Sequence, residues 1–362
     1  MTLRASQTGA ALLSAMLTVT LVATFAAAAL WQQWRSVEVE TAERARVQST
    51  WILTGALDWS RLILREDGRA GGADHLAEPW AVPLNEARLS SFLAVDKNAS
   101  ETEREAFLSG QVIDLQGKLN VNNLLEGNSL SATALASFSR LFELLGLPKE
   151  QLLTLASSLL EAVRDPAPSG AGAAPNPNPT PASTGAATAA ASAASAPAAT
   201  GTPPTPVAAP VATALSPLMP ERVEQLAWLG LPRETLAALM PYITLLPQRT
   251  AVNLNTASAE VIYASTPGLD MANAQRLVAA RDRKHFATLA EANQQLGGAE
   301  GKFGDTQHAV ATRFFEVTGQ LRLDQTLVQE RSVLQRDGLQ VRTLWRDRGV
   351  VISRPPATGG RP

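Results

Sequence analysis

The sequence predicts an α+β fold: a long N-terminal helix, transmembrane in its first part, packs on a small antiparallel sheet, and a large α-helical domain is inserted between strands. Three observations carry this expectation. An uncharged apolar run opens the chain and continues into helix-compatible sequence; apolar and polar residues alternate around residue 115 and again after 314; and the periodicity between those two regions is helical.

With 362 residues and 45% apolar content, the chain can build cores for two ordinary domains. A formal charge of -2 gives no global pull toward polyanions, so nucleic acid is not an expected partner. The absence of cysteine removes disulfides, thiol catalysis and thiolate metal sites together.

The N-terminal helix comes first. Ala10 to Leu30 carries no charge, Gly or Pro, and about 20 such residues match the hydrocarbon core of a bilayer. Met1 to Gly9 precedes it with Arg4, a positive bias that keeps this leader cytoplasmic and the rest outside. Ala26 to Ala29 offers a secretory cleavage site. Yet from Trp31 to Leu64 only Gly55 is unfriendly to helix, and Trp34, Val37, Ala45, Ile52, Ala56, Trp59 and Ile63 keep helical spacing as the seam expected to pack on the domain. One helix is therefore expected from Ala10 to Leu64, ended by the Gly-rich stretch after Arg65.

The segment DHLAEPWAVPL, with two prolines, reads as a loop laid over the domain. Leu89 to Leu108 is partly helical in spacing, and Gln111 to Val121 alternates around Gln116-Gly117 as a hairpin or bulged strand would. Ser131 is the expected N-cap of a helix over Ala132 to Leu145, stopped by Gly146, and a second helix runs from Lys149 to Arg164. The C-terminal strands are expected over Phe314 to Leu323, Leu327 to Leu334, Leu339 to Trp345 after a turn at Asp337-Gly338, and Gly349 to Ser353. Between the helices lies Pro166 to Pro217, built of Ala, Pro, Thr, Ser, Gly and Asn with few large apolar residues and no charge, the composition of a disordered linker. The phrase LGLPKE at 145–150 returns as LGLPRE at 229–234, a local means of ending one helix and starting the next.

The leader ending in Gly9, a cleavage point before Ala10 and the long apolar helix together resemble the type IV pilin and pseudopilin N-terminus. Major pilins carry Glu at the fifth mature position; here it is Ser14. This departure, with GQVIDLQGKLNVNNLL, RVEQLAWLGLP, LMPYITLLP, VNLNTASAEVIYASTPGLD and the C-terminal strands, resembles the general secretion pathway protein K family, the minor pseudopilin K of type II secretion systems. The resemblance implies a pilin-like scaffold with a large inserted α-domain, cleavage after Gly9 by prepilin peptidase with methylation of Ala10, and anchorage in inner-membrane lipid. It also implies joining minor pseudopilins I and J, with other pseudopilus subunits as further partners, at the tip that starts a pseudopilus for export of folded proteins.

Three chemistries compete with this structural role. Residues 252–289 look like a helix-hairpin-helix, but the hairpin reads Gly268-Leu269-Asp270 where DNA-binding members use Gly-apolar-Gly; Arg276, Arg281, Arg283 and Lys284 stand nearby, offset in part by Glu260 and Asp282. K subunits typically hold calcium through an acidic segment, and the matching stretch keeps Glu161 and Asp165 but places Arg164 between them, so the site is expected lost or weakened and no cofactor is expected. His75, His285 and His308 lie far apart and form no H-E-x-x-H pair; no catalytic motif is present and no enzyme is expected. Arg331, Arg336, Arg342, Arg346 and Arg348 are expected on solvated strand faces or against a partner's acidic surface.

The expected organisation is leader 1–9, transmembrane part 10–30, first scaffold part 31–123, inserted α-domain 124–165, linker 166–217, second part of the α-domain with the helix-hairpin-helix or SAM-like motif 218–305, and C-terminal scaffold 306–362. The rivals are a membrane-anchored helix-hairpin-helix DNA-binding protein of an uptake system and a secreted protein cut within Ala26 to Ala29.

Overall fold

The computed structural model describes residues 8–88, 106–164, 217–297, 302–323 and 326–351. Residues 166–216 of the expected linker and Asp165 lie outside these residues, as do most of the leader and 89–105 of the expected partial helix. Residues 106–108 of that expectation belong to a strand instead.

Helix α1 is one unbroken element, Thr8–Ala70, 63 residues and about 95 Å long at about 1.5 Å per residue. It ends where Gly71 and Gly72 take positive φ of 66° and 114°. Five antiparallel strands follow: β1 (Leu84–Arg88), β2 (Ala106–Asp114), β3 (Phe314–Leu323), β4 (Thr326–Asp337) and β5 (Gln340–Val351), in the spatial order β1-β2-β3-β4-β5. The central pair, β2 with β3, joins sequence separated by the whole inserted region, with Val112 opposite Val317. Strand β5 runs through Gly349, so the two strands expected there are one; Gly349 sits opposite Gln329 in the ladder, which uses only its backbone.

The second half of α1 packs on this sheet, in a different rotation from that expected. The buried positions are Ser49, Leu53, Leu57, Ser60 and Leu64, at spacings of three and four. Trp59 is 63% exposed, and Ile52, Ala56 and Ile63 only flank the contact. Leu57 and Leu64 join Trp80, Phe315, Val317 and Leu334, while Leu53 joins Leu108, Leu321 and Val328. Close approach depends on Gly319, where an added Cβ would stand 3.3 Å from Leu53. Trp80, in the short 3-10 turn Pro79–Ala81 of the expected loop, closes the core edge against Phe315 at 5.2 Å between rings.

Gln111–Val121 is not a hairpin. After Asp114 the chain makes a 3-10 turn, Leu115–Gly117, because the Asp114 carboxylate accepts the Gln116 N–H at 2.7 Å. The same buried carboxylate accepts from Asn253 Nδ2 (2.9 Å), Thr256 Oγ1 (2.6 Å) and Thr312 Oγ1 (2.6 Å). These bonds tie residues after 250 to the sheet. Accordingly the chain divides into two compact units, one of residues 1–119 and 250–362 and one of residues 120–249. Residues 250–297, expected within the inserted α-domain, group with the scaffold. They hold helices α5 (Ala259–Ser265), α6 (Met271–Arg283) and α7 (Leu289–Gln294).

The second unit holds α2 (Ala132–Leu144), α3 (Lys149–Arg164) and α4 (Arg233–Leu239), with a 3-10 segment over Val223–Leu229. Ser131 occupies the N-cap of α2 without a side-chain capping bond. Phe138 and Phe142 of α2, Leu152 and Leu159 of α3, and Leu226 and Leu239 are buried within this unit. The two LGLP phrases do the same local work: Gly146 and Gly230 adopt φ of 66° and 88°, and a helix restarts after each proline.

Candidate membrane and assembly surface

Helix α1 carries two surfaces. From Ala10 to Glu40 every position is exposed, and the apolar part of this stretch is long enough to cross a membrane. Its hydroxyls are satisfied along the helix: Ser14 Oγ donates to Ala11 O at 2.9 Å, Thr18 to Ala15 O at 2.8 Å and Thr24 to Leu21 O at 2.8 Å. That arrangement lowers the cost of a hydroxyl in hydrocarbon, where an unpaired polar group is expensive. Gly9 and Ala10 lie in the first turns of α1, which begins at Thr8. Ser14, where the fifth mature position is expected, thus carries a self-satisfied hydroxyl and no charge.

At its other end α1 is locked to the sheet by a buried ion-pair network. Arg336 of β4 bonds Asp67 of α1 and Asp74 of the following loop, and donates to Thr312 O at 3.1 Å. Asp74 also accepts the Thr312 N–H at 2.7 Å. Burial pushes the Asp74 carboxyl up, while the Thr312 N–H and the Arg336 guanidinium pull it down. Asp67, Asp74 and Glu78 are the carboxylates among the described residues spaced as metal ligands could be, along a cleft of about 430 Å³. Arg336 already supplies a counter-charge to two of them. Glu78 is pushed up to about 7 by burial, against N–H donors from His75 and Trp80.

Of the strand arginines, Arg336 is buried, not solvated. Arg346 and Arg348 both pair with buried Glu330, and Arg342 donates to Gln335 Oε1 at 2.6 Å. Glu161 is exposed on α3. The histidines separated in sequence are not all separate in space: His75 and His285 stack at 3.7 Å between ring centroids. His308 is sealed in the interior, its Nε2 within 3.2 Å of Ser265 Oγ and 3.1 Å of Thr266 Oγ1, and burial lowers its pKa to about 4. All three of these side chains are at most 2% exposed, so this Ser–His contact has no access for a substrate.

The helix-hairpin-helix segment forms its two helices, with Gly268 at φ 80°. Asp270 caps α6, its Oδ1 accepting the Asn273 N–H at 2.6 Å. A carboxylate therefore occupies the helix end that would meet a phosphate. Arg281 is buried and donates to Leu254 O and Ala257 O, which leaves Arg276, Arg283 and Lys284 on the exposed side.

Two family models, both described as type II secretion system protein K, match residues 117–248 and 252–311, together more than half of the chain. Their division coincides with that between the two compact units. The type II secretion system protein K of Pseudomonas aeruginosa is 26% identical over 368 residues, covering 99% of this chain and 98% of that protein. A chain in the crystal structure of the GspK-GspI-GspJ complex from enterotoxigenic Escherichia coli shares the fold with a TM-score of 0.53 at 14% identity, covering 85% of this chain and 98% of that one.

Proposed function

The chain belongs to the type II secretion system protein K family, and on that premise we propose that it acts as a minor pseudopilin, a structural and non-catalytic subunit. The first part of α1 holds it in the inner membrane with its N-terminus cytoplasmic, and the folded units stand in the periplasm. Prepilin peptidase cuts after Gly9 and methylates Ala10. With minor pseudopilins I and J the chain forms the pseudopilus tip and starts assembly for export of folded proteins across the outer membrane.

The observation that carries this reading is α1 itself: unburied and apolar at first, locked to a sheet at its end, with Ser14 where a pilin carboxylate would pair a neighbour's amine. A subunit lacking that carboxylate has no such partner to offer a further subunit, which suits the top of a filament. The resemblance in fold to a chain of the GspK-GspI-GspJ complex supports the choice of partners. The test is co-expression of the full chain with I and J and co-purification in detergent. A stoichiometric three-protein complex is expected; elution of this chain apart from both partners overturns the reading. The DNA-binding rival is opposed by the Asp270 cap, which puts negative charge at the hairpin.

A further inference from the structure

The sequence from Ala5 to Trp34 contains no charged residue, and Arg35 ends that run, with Glu38, Glu40 and Glu43 following within the next turns. Hydrocarbon must therefore end between Leu30 and Glu38, since a carboxylate on a lipid-facing helix is costly. Two tryptophans fall in that interval. Trp31 and Trp34 are 62% and 64% exposed and, three residues apart, are neighbours on the helix surface. The Arg35 guanidinium lies over the Trp31 ring, 5.7 Å from its centroid. Ala10 to Leu30 spans about 31 Å at about 1.5 Å per residue, close to the hydrocarbon thickness of about 30 Å.

We propose that Trp31, Trp34 and Arg35 form an interfacial belt that seats α1 in the outer leaflet of the bilayer, the indoles at headgroup level and the Arg35 guanidinium on lipid phosphate. An indole is amphipathic, with an apolar body for the acyl boundary and an N–H for the headgroup region, and a long basic side chain reaches out to phosphate. The belt fixes the depth of the span. Since Ser49 is the first fully buried residue of α1, it also sets a stalk of about 20 Å between the membrane surface and the folded unit. This inference rests on the membrane-anchored reading given above.

The test reconstitutes the full chain into phosphatidylethanolamine and phosphatidylglycerol vesicles whose acyl chains carry bromine either near the headgroup or near the chain end. Wild type is compared with W31F/W34F. The other tryptophans, Trp51, Trp59, Trp80, Trp228 and Trp345, all follow the belt in the chain. The proposal expects shallow bromine to quench wild-type emission more than deep bromine, and expects that excess to be lost in W31F/W34F. Equal quenching of both proteins while the chain floats with vesicles overturns the belt and leaves the anchor standing. Stronger quenching by deep bromine places the indoles in hydrocarbon and also overturns it. A chain that does not float with vesicles refutes the membrane anchor itself.

Discussion

Leu57→Ala and Trp59→Ala, two residues apart on α1, should have opposite consequences to those their sizes suggest. Leu57 is 5% exposed and packs with Leu64, Trp80, Phe315, Val317 and Leu334. Truncating it removes a buried isobutyl group and leaves a cavity that the sheet cannot collapse into, at a cost of about 2–5 kcal/mol. Trp59 is 63% exposed, and its loss should stay within about 0.5 kcal/mol. For a folded region of this size each kcal/mol moves Tm by about 2–4 °C, so Leu57→Ala should melt roughly 4–20 °C lower. Both variants are made in the full chain in detergent, and melting is followed by the near-ultraviolet signal of buried Trp80. Equal costs, or a larger cost at Trp59, would refute the rotation of α1 on the sheet.

Three further outcomes are expected. Arg336→Met strands the Asp67 and Asp74 carboxylates without their counter-charge and should cost about 3–5 kcal/mol in urea denaturation, with part recovered by a second change, Asp74→Asn; a cost below about 1 kcal/mol would remove the ion pair as a lock. His308, whose pKa is lowered from 6.5 to about 4, contributes stability that is full above pH 6.5 and is lost as pH falls toward 4, because the unfolded chain takes up the proton first. Glu78, raised to about 7, has the opposite sign, so the check is the difference between wild type and His308→Gln, which should shift against wild type by about 3 kcal/mol from pH 7 to 4. Asp270→Ala removes the α6 cap and should cost about 1 kcal/mol, and neither it nor wild type should retard DNA in a low-salt gel shift; salt-sensitive retardation by wild type would favour the rival function.

What was legible in the sequence was local. The apolar run and its extension fixed α1, Ser131 and Gly146 bracketed α2, and alternation located β3 and β4. The expected seam of α1 includes the exposed Trp34 and Trp59, whereas Leu53, Leu57 and Leu64 carry the buried spacing on their own. Gln116-Gly117 looked like a hairpin turn, but Asp114 captures the turn and β2 pairs with β3 across the insertion. Contacts at such separation leave no local mark, and neither Arg336 with Asp67 and Asp74 nor His75 on His285 could be read from spacing. The grouping of residues 250–297 with the sheet was hidden for the same reason: it depends on polar side chains at 114, 253, 256 and 312 meeting in the interior.

The central claim, that this chain enters the pseudopilin pathway, is tested most directly by mass spectrometry of the mature N-terminus with prepilin peptidase present and absent. A peptidase-dependent start at N-methylated Ala10 is the predicted result. An unprocessed chain, or one beginning near Leu30, would contradict it.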